Sequence, residues 1–456
     1  MGGAAHGWRR RVTGVPTLTR RLSRWDLVVY GLLFIGPLAP VGVYGVLDAR
    51  TDGAVALVYV VATIAMAFTA WSYAVMSRQV PHAGSVFAYA SRGLGSTAGF
   101  FAGWLAMLDY LLIPSVAYLF SGIALHALVP AVPAWVFTVV AFTGTTLLNL
   151  AGVRVAARAG FAVLIVELAV LIAFLAAAGV VLAIEGPSRP WLSPFTGLTA
   201  IDTSMILGAV SVAVLSFLGF DAIASFAEES TGDAGQVGQA IGVCLAVAGV
   251  AFVAQTWVVA LLSTEAPAAL LAEPARQGTA FYAIARAGIG GWMATLLAVT
   301  KAVGPAFAAM TGQAAAARLL FGMARDGRLP SALAQVDDAR GVPRAALLVT
   351  AAATLTVSVW AARRDVGLSV LVSIVDVGAL GAFLLLHASV VGFFVVRRLG
   401  TMRVAHVVVP LVGVVVTGWV LIEASRLAQV VAAVWLVAGV GALTLGRSRQ
   451  AANWEP

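Results

Sequence analysis

Asp221 stands in the run SVAVLSFLGFDAIASF, Glu167 in VLIVELAVLIAF, Lys301 in ATLLAVTKAVGPAFAAM, and the pair Asp109 and Tyr110 in GWLAMLDYLLIPSVAYL. Each ionisable group is embedded in apolar sequence, where a charge is costly and persists only with a partner, a watery cavity or a bound proton. Such groups do two kinds of work. A carboxylate can face the ammonium of a solute, and a desolvated carboxyl or amine can take up and release a proton near neutrality. Asp221, just after Gly219 and Phe220, is the first choice for solute contact; the other reading is a hydrogen bond across a locally unwound helix. Glu167 is a candidate proton carrier, or else a carboxyl held by structural hydrogen bonds. Lys301 is the one lysine of the chain. It is expected to pair with Asp221 or Asp109, to bind a carboxylate or to carry a proton, unless it snorkels to the outer surface. If it faces the same pocket as Asp221, like-charge repulsion disfavours a dicationic solute. Asp109 is a further candidate for proton coupling and Tyr110 for the pocket wall, whereas Asp376 and His387 read as a polar packing pair.

Other chemistries lack their residues. No HExxH or GxSxG occurs, the five histidines are scattered, and the single cysteine, Cys244, sits in AIGVCLAVAG as a packing residue. No enzyme, metal site or cofactor is expected, and without a GxxxxGK[ST] loop nothing suggests the use of ATP.

The elements that position these groups follow from composition. Of the 456 residues 61% are hydrophobic and only 11% charged, too little polar surface for soluble domains of this size. Apolar runs of roughly 20 residues must be helices in lipid, because an unsatisfied backbone group there is prohibitive. The runs are expected near 27–47, 54–77, 98–129, 134–150, 158–184, 204–227, 237–263, 290–322, 345–361, 366–396, 404–422 and 427–445. The fold class is therefore an all-α integral membrane protein of about twelve spans. The net charge of +8 does not point to nucleic acid, since the basic residues gather at span ends. About 20 of the 28 lysines and arginines fall on one side, which the positive-inside rule makes cytoplasmic. That side holds Arg9 to Arg11, Arg20, Arg21, Arg24, the Arg318 to Arg344 region, Arg447 and Arg449. An even span count returns both termini to it. The Arg-rich first two dozen residues do not resemble a cleavable signal peptide. A multi-pass protein of the plasma (inner) membrane is expected.

Two spans carry breaks. In the first, Gly36-Pro37-Leu38-Ala39-Pro40-Val41-Gly42 places two prolines and two glycines at mid-membrane depth. In the sixth, Ser216-Phe217-Leu218-Gly219-Phe220-Asp221 is a weaker breaker that carries a carboxylate. Interruptions five spans apart are what a pair of inverted five-helix repeats gives, with a solute site between them at the midplane. The other account is a packing kink in each. Free amides at the first break, near a half-helix N-terminus, would suit an α-carboxylate.

These residues are similar to a known family. FLGFDAIASFAEES in the sixth span, VPHAGSVFAYASRGLG after the second and RLLFGMARDGRLP at the end of the eighth, in this order, resemble the amino acid–polyamine–organocation superfamily of permeases over about residues 22–445. GWLAMLDYLLIPSVAYL and PLAPVGVYGVLDARTDG look most like its putrescine-importer branch. The resemblance implies a LeuT-type fold: two inverted repeats over 25–186 and 187–396, with discontinuous helices one and six. Two peripheral helices follow over 397–445, with cytoplasmic tails at 1–24 and 446–456. It also implies alternating access without ATP. On this resemblance Gly36 to Gly42, Tyr110, Ser216, Phe217, Gly219, Phe220 and Asp221 cradle the solute. An acidic residue at the Asp221 position faces the amine in cationic-solute members. Several members carry a lysine near the place of Glu167, from which this chain departs. The position six residues before Asp221, a gating aromatic in some antiporters of the superfamily, is Leu215 here, so Phe217 or Phe220 would cover the site.

Glu228 and Glu229 end the sixth span in a loop without basic residues and are expected to pair with Arg78, Arg92 or Arg325 as a cytoplasmic gate, or else to be solvated. The expected function is import of an amino acid or small biogenic amine, coupled to protons, with the lipid bilayer as the other partner. An exchanger, or a nutrient sensor on a transporter fold, is the alternative. A channel would favour a repeated selectivity sequence, and none is present.

Overall fold

The computed structural model describes residues 20–452 apart from 81–84, 130, 200–201, 234, 338–339, 365–366, 376 and 424–425. The tail arginines 9–11, part of the VPHAGS segment and Asp376 thus lie outside the described residues. Twelve helices among the described residues are long and apolar enough to cross a membrane. In order they are Arg24–Gly42, Val55–Gln79, Ser96–His126, Ala134–Ala151, Val153–Glu185, Thr203–Glu229, Gln236–Leu262, Gly291–Arg325, Arg344–Ala362, Val377–Val396, Ala405–Ile422 and Arg426–Thr444. No strand occurs among the described residues, only two isolated bridges.

The first span shows how local sequence sets these elements. Ser23 caps it: its hydroxyl accepts from the Asp26 amide at 3.2 Å while the Asp26 carboxylate accepts from the Ser23 amide at 2.8 Å. The helix stops at Ile35, because Gly36 takes φ +74° and Pro37 follows. A 3₁₀ turn over Ala39–Gly42 leads into a short helix, Tyr44–Arg50. In the sixth span an α-helix over Thr203–Val214 tightens to a 3₁₀ turn at Leu215–Phe217. It is then broken by extended Leu218 and left-handed Gly219, φ +116°. A 3₁₀ stretch, Phe220–Glu229, completes it.

The tenth span differs from the expectation. Its region is divided into Gly367–Ile374 and Val377–Val391, and its end, Gly392–Val396, is π-helical. The apolar run 366–396 concealed this, since hydropathy is blind to a hydrogen-bond slip that leaves composition unchanged.

The interrupted first and sixth spans lie inside the bundle. In the sixth, 72% of the most apolar stretch is buried, against 11% in the twelfth, which is peripheral. The third and eighth spans pack along each other, as do the second and seventh. Phe34, two residues before the first break, fills the centre. A Cβ on Gly219 would lie 2.7 Å from its ring, and one on Gly312 of the eighth span 2.7 Å from its far edge. Close approach of three spans at one aromatic ring thus depends on two glycines. Cys244 is buried against Gly31 of the first span, as its sequence setting suggested. His387 bonds Ser72 at 2.9 Å and Thr69 at 3.3 Å, tying the tenth span to the second.

Candidate functional site

Asp221 is 2% exposed and sits at the start of the 3₁₀ half of the sixth span, directly after the Gly219 break. Its Oδ2 accepts a 2.7 Å hydrogen bond from the Tyr110 hydroxyl of the third span, and its Oδ1 a 3.3 Å contact from the Gly219 amide. The latter is the hydrogen bond across the unwound helix expected as the alternative role. One oxygen thus serves the helix break and the other meets Tyr110 of the third span. Tyr110 lies beside Phe34, ring centroids 6.4 Å apart, so the carboxylate, the phenol and the ring before the first break share one space.

The first break is less bare than its sequence suggested. The Gly36 carbonyl accepts from the Ala39 amide at 2.9 Å and the Leu38 carbonyl from Val41 at 3.1 Å. The Pro40 carbonyl accepts from Val43 at 3.1 Å, and that of Pro37 from Gln255 Nε2 of the seventh span at 2.9 Å. The cause is the 3₁₀ turn, which re-forms i to i+3 bonds where the α-helix fails. Leu38 and Val41 are core residues, while Gly36, Ala39 and Gly42 keep partial exposure. On the sixth span, Ser216 bonds the Tyr59 hydroxyl at 3.0 Å, and Phe217 packs on Phe252 at 4.9 Å and Tyr59 at 6.2 Å. Both therefore face the second and seventh spans, away from Asp221. Phe220 faces Tyr73 and Phe383.

Lys301 is not placed with Asp221 or Asp109. It lies on the eighth span near Glu167 of the fifth, close enough for the two charges to act on each other. Glu167 is 2% exposed and packs against Gly304, where any Cβ would collide with its Oε1. Its Oε2 has no hydrogen-bond partner. The missing side chain of Gly304 makes the space for the carboxylate, one helical turn from Lys301. Asp109, 1% exposed, backs onto Gly378 of the tenth span.

At the arginine-rich end the two glutamates are paired. Glu228 meets Arg325 at 2.5 Å, as sequence suggested, whereas Glu229 forms a buried bidentate pair with Arg318, which sequence did not assign to the gate. Neither Arg78 nor Arg92 forms an ion pair with them: Arg78 lies by Gly235, and Arg92 is exposed. Arg318 lies two helical turns deeper than Arg325 on the eighth span, where it and Glu229 are both buried. Arg318 also stacks on Phe226 at 4.2 Å, Phe226 stacks on Tyr30 at 4.8 Å, and Tyr30 bonds the Val153 carbonyl at 2.7 Å. First, fifth, sixth and eighth spans are thereby joined. At the opposite end, which the sequence reading missed, Arg189 grips Asp48 with contacts of 2.7 and 3.1 Å and also bonds Ser263 and the Glu265 carbonyl. Burial disfavours the Arg189 cation, but its bonds to Asp48 outweigh that and hold its pKa above the usual value. No spacing links Asp48, Arg189 and Ser263 in the chain. Among the described residues no cluster of three metal-ligating side chains occurs.

Residues 27–423 match the model of a family described as amino acid permease. The chain is 28% identical over 434 residues to a low-affinity putrescine importer of Escherichia coli (strain K12), covering 93% of this chain and 92% of that one. It is 24% identical over 410 residues to a branched-chain amino acid permease of Bacillus subtilis (strain 168), covering 83% and 82%. With a gamma-aminobutyric acid permease of Escherichia coli (strain K12) it shares 25% identity over 340 residues, 73% and 70% of the two chains. The family and these relatives are transporters and not enzymes. Twelve apolar helices and a family match over most of their length make this a multi-pass membrane protein, and the chain belongs to the amino acid permease family of the amino acid–polyamine–organocation superfamily.

Proposed function

We propose that this transporter imports an amino acid or small amine across the plasma membrane by alternating access, with the solute's amino group at Asp221 and Tyr110. The observation that carries this reading is the 2.7 Å bond between those side chains at the junction of two interrupted spans. A buried carboxylate with one oxygen turned to the interior is what an ammonium requires. The backbone of 36–42 and of Gly219 and Phe220 would take the polar head, once the 3₁₀ turn opens. Ser216 and Phe217, which face other spans, act as supports. Phe34 occupies the centre and has to swing aside.

The architecture we infer is two inverted repeats over 25–186 and 187–396, with 397–445 peripheral and the tails 1–24 and 446–456 cytoplasmic. The interruptions of the first and sixth spans, five spans apart, support it. The pairs Glu228–Arg325 and Glu229–Arg318 then close the cytoplasmic side, and Asp48–Arg189 the outer side. Glu167 with Lys301 is the proton-coupling unit, because a carboxyl without a partner for one oxygen, beside a single ammonium, can gain and lose a proton without stranding a charge. A thermal-shift screen of amino acids and amines on the purified protein tests the solute class, since a ligand of the folded state stabilises it by mass action. Stabilisation by an amino acid or amine is expected; no shift with either class, together with no uptake into proteoliposomes, overturns the reading.

A further inference from the structure

The fifth span, Val153–Glu185, buries Glu167 on one face and turns outward a stripe that has no part in the solute path. Arg154, Arg158, Phe161, Ile165, Ala169 and Ile172 recur at steps of three and four residues and are all exposed, Phe161 by 51%, Ile165 by 48% and Ile172 by 65%. In a membrane that row lies against acyl chains. Two arginines, one turn apart, stand at its head.

Neither Arg154 nor Arg158 makes an ion pair or hydrogen bond with any described residue. Like charges at this spacing repel each other. A third guanidinium belongs to the same corner, because a Cβ on Gly152 would lie 3.8 Å from the Cβ of Arg340. Arg21 joins it, donating from Nη1 to the Arg340 carbonyl at 3.4 Å. The carboxylate of Asp337 is shared by Arg340 and Arg344, each at 3.4 Å, and pairs with neither arginine of the fifth span. The corner therefore keeps an excess of positive charge beside an apolar stripe.

Orienting a span asks only for basic residues near its cytoplasmic end. It does not ask for two of them on the face turned to lipid. A partner that meets both halves of the stripe carries an anion at headgroup depth and hydrocarbon beneath it. Guanidinium groups match phosphate oxygens in pairs, and basic clusters at the membrane surface attract lipids of net negative charge. A zwitterionic headgroup brings its own cation and gains less. We propose that Arg154 and Arg158, with Arg340 beside them, hold the phosphate of an anionic phospholipid whose acyl chain lies along Phe161, Ile165 and Ile172.

The test uses the full chain, purified in detergent and stripped of lipid. It is titrated with dioleoylphosphatidylglycerol, dioleoylphosphatidylcholine or inorganic phosphate, with bound lipid counted by native mass spectrometry and Tm followed in parallel. Phosphatidylglycerol is expected to bind at least tenfold more tightly than phosphatidylcholine and to raise Tm, while inorganic phosphate at the same concentration does not. Its affinity should fall at least fivefold in Arg154→Gln with Arg158→Gln. It should change less than twofold in Arg397→Gln with Arg398→Gln, which removes the same charge from the exposed turn after the tenth span. The lipid-free Tm shows whether each variant is folded, and Arg158→Gln alone, expected to lose at least twofold, serves if the first double variant is not. Equal binding of the two lipids by wild type, an equal shift with inorganic phosphate, undiminished binding after the changes at Arg154 and Arg158, or an equal loss in the Arg397 and Arg398 variant overturns the proposal.

Discussion

The Tyr110 hydroxyl reaches across from the third span to Asp221 Oδ2 at 2.7 Å, at the point where the sixth span is broken by Gly219. A hydrogen bond to an ionised carboxylate is worth about 1.5–3 kcal/mol. Tyr110→Phe is therefore expected to raise KM for the transported amine by roughly tenfold while the protein stays folded, since each 1.4 kcal/mol is one decade. Uptake kinetics in proteoliposomes check this, with circular dichroism as the control for fold.

The buried pair of Glu229 and Arg318 joins the sixth and eighth spans. Removing one partner strands the other, at a cost of about 3–5 kcal/mol. Glu229→Gln and Arg318→Ala are each expected to lower Tm by several degrees in detergent. The more exposed pair of Glu228 and Arg325 should tolerate charge exchange, so Glu228→Arg with Arg325→Glu recovers most of the uptake that either single change loses. Failure of the double exchange to rescue would remove this pair from the gate.

Glu167 and Lys301 give a prediction about energy coupling. Glu167→Gln should retain counterflow exchange of labelled solute but lose accumulation driven by an imposed acid-outside gradient. Measuring both in one vesicle preparation separates coupling from binding. Accumulation equal to wild type in the variant assigns the proton to another group.

Gly219 and Gly312 are the two glycines against Phe34. A methyl at either place crowds the ring, and at Gly219 it also meets the positive φ, so each alanine substitution is expected to cost about 1–3 kcal/mol. Thermal denaturation of Gly219→Ala and Gly312→Ala measures it. A companion Phe34→Leu should recover part of the loss in Gly312→Ala, where crowding is the sole cause.

How much of this was legible in sequence differs by residue. The helices were, because lipid leaves apolar runs no other choice, and Gly36-Pro37 or Gly219 interrupt a helix through properties of their own residues. Asp221 was legible for the same reason: a carboxylate in hydrocarbon is costly enough to need an explanation. Partnerships were not. Lys301 reads as a partner of Asp221 or Asp109 until helix rotation is known, and the space that Gly304 leaves for Glu167 beside it decides otherwise. Arg318 sits inside an apolar helix end, and nothing in RLLFGMARDG says that it rather than Arg325 takes Glu229. The Asp48 and Arg189 pair joins two loops that share no motif. Phe34 looked like one more apolar residue, and its central place depends on glycines some 185 and 278 positions away.

The central claim is that the solute's amine is held at Asp221. Its most direct measurement is binding of a transported amine to purified wild type and to Asp221→Asn by isothermal titration, with Tm showing that both are folded. The neutral side chain is expected to weaken binding at least tenfold with Tm within a few degrees of wild type. Unchanged affinity in a folded Asp221→Asn protein would contradict it and leave Asp221 as a strut across the broken helix.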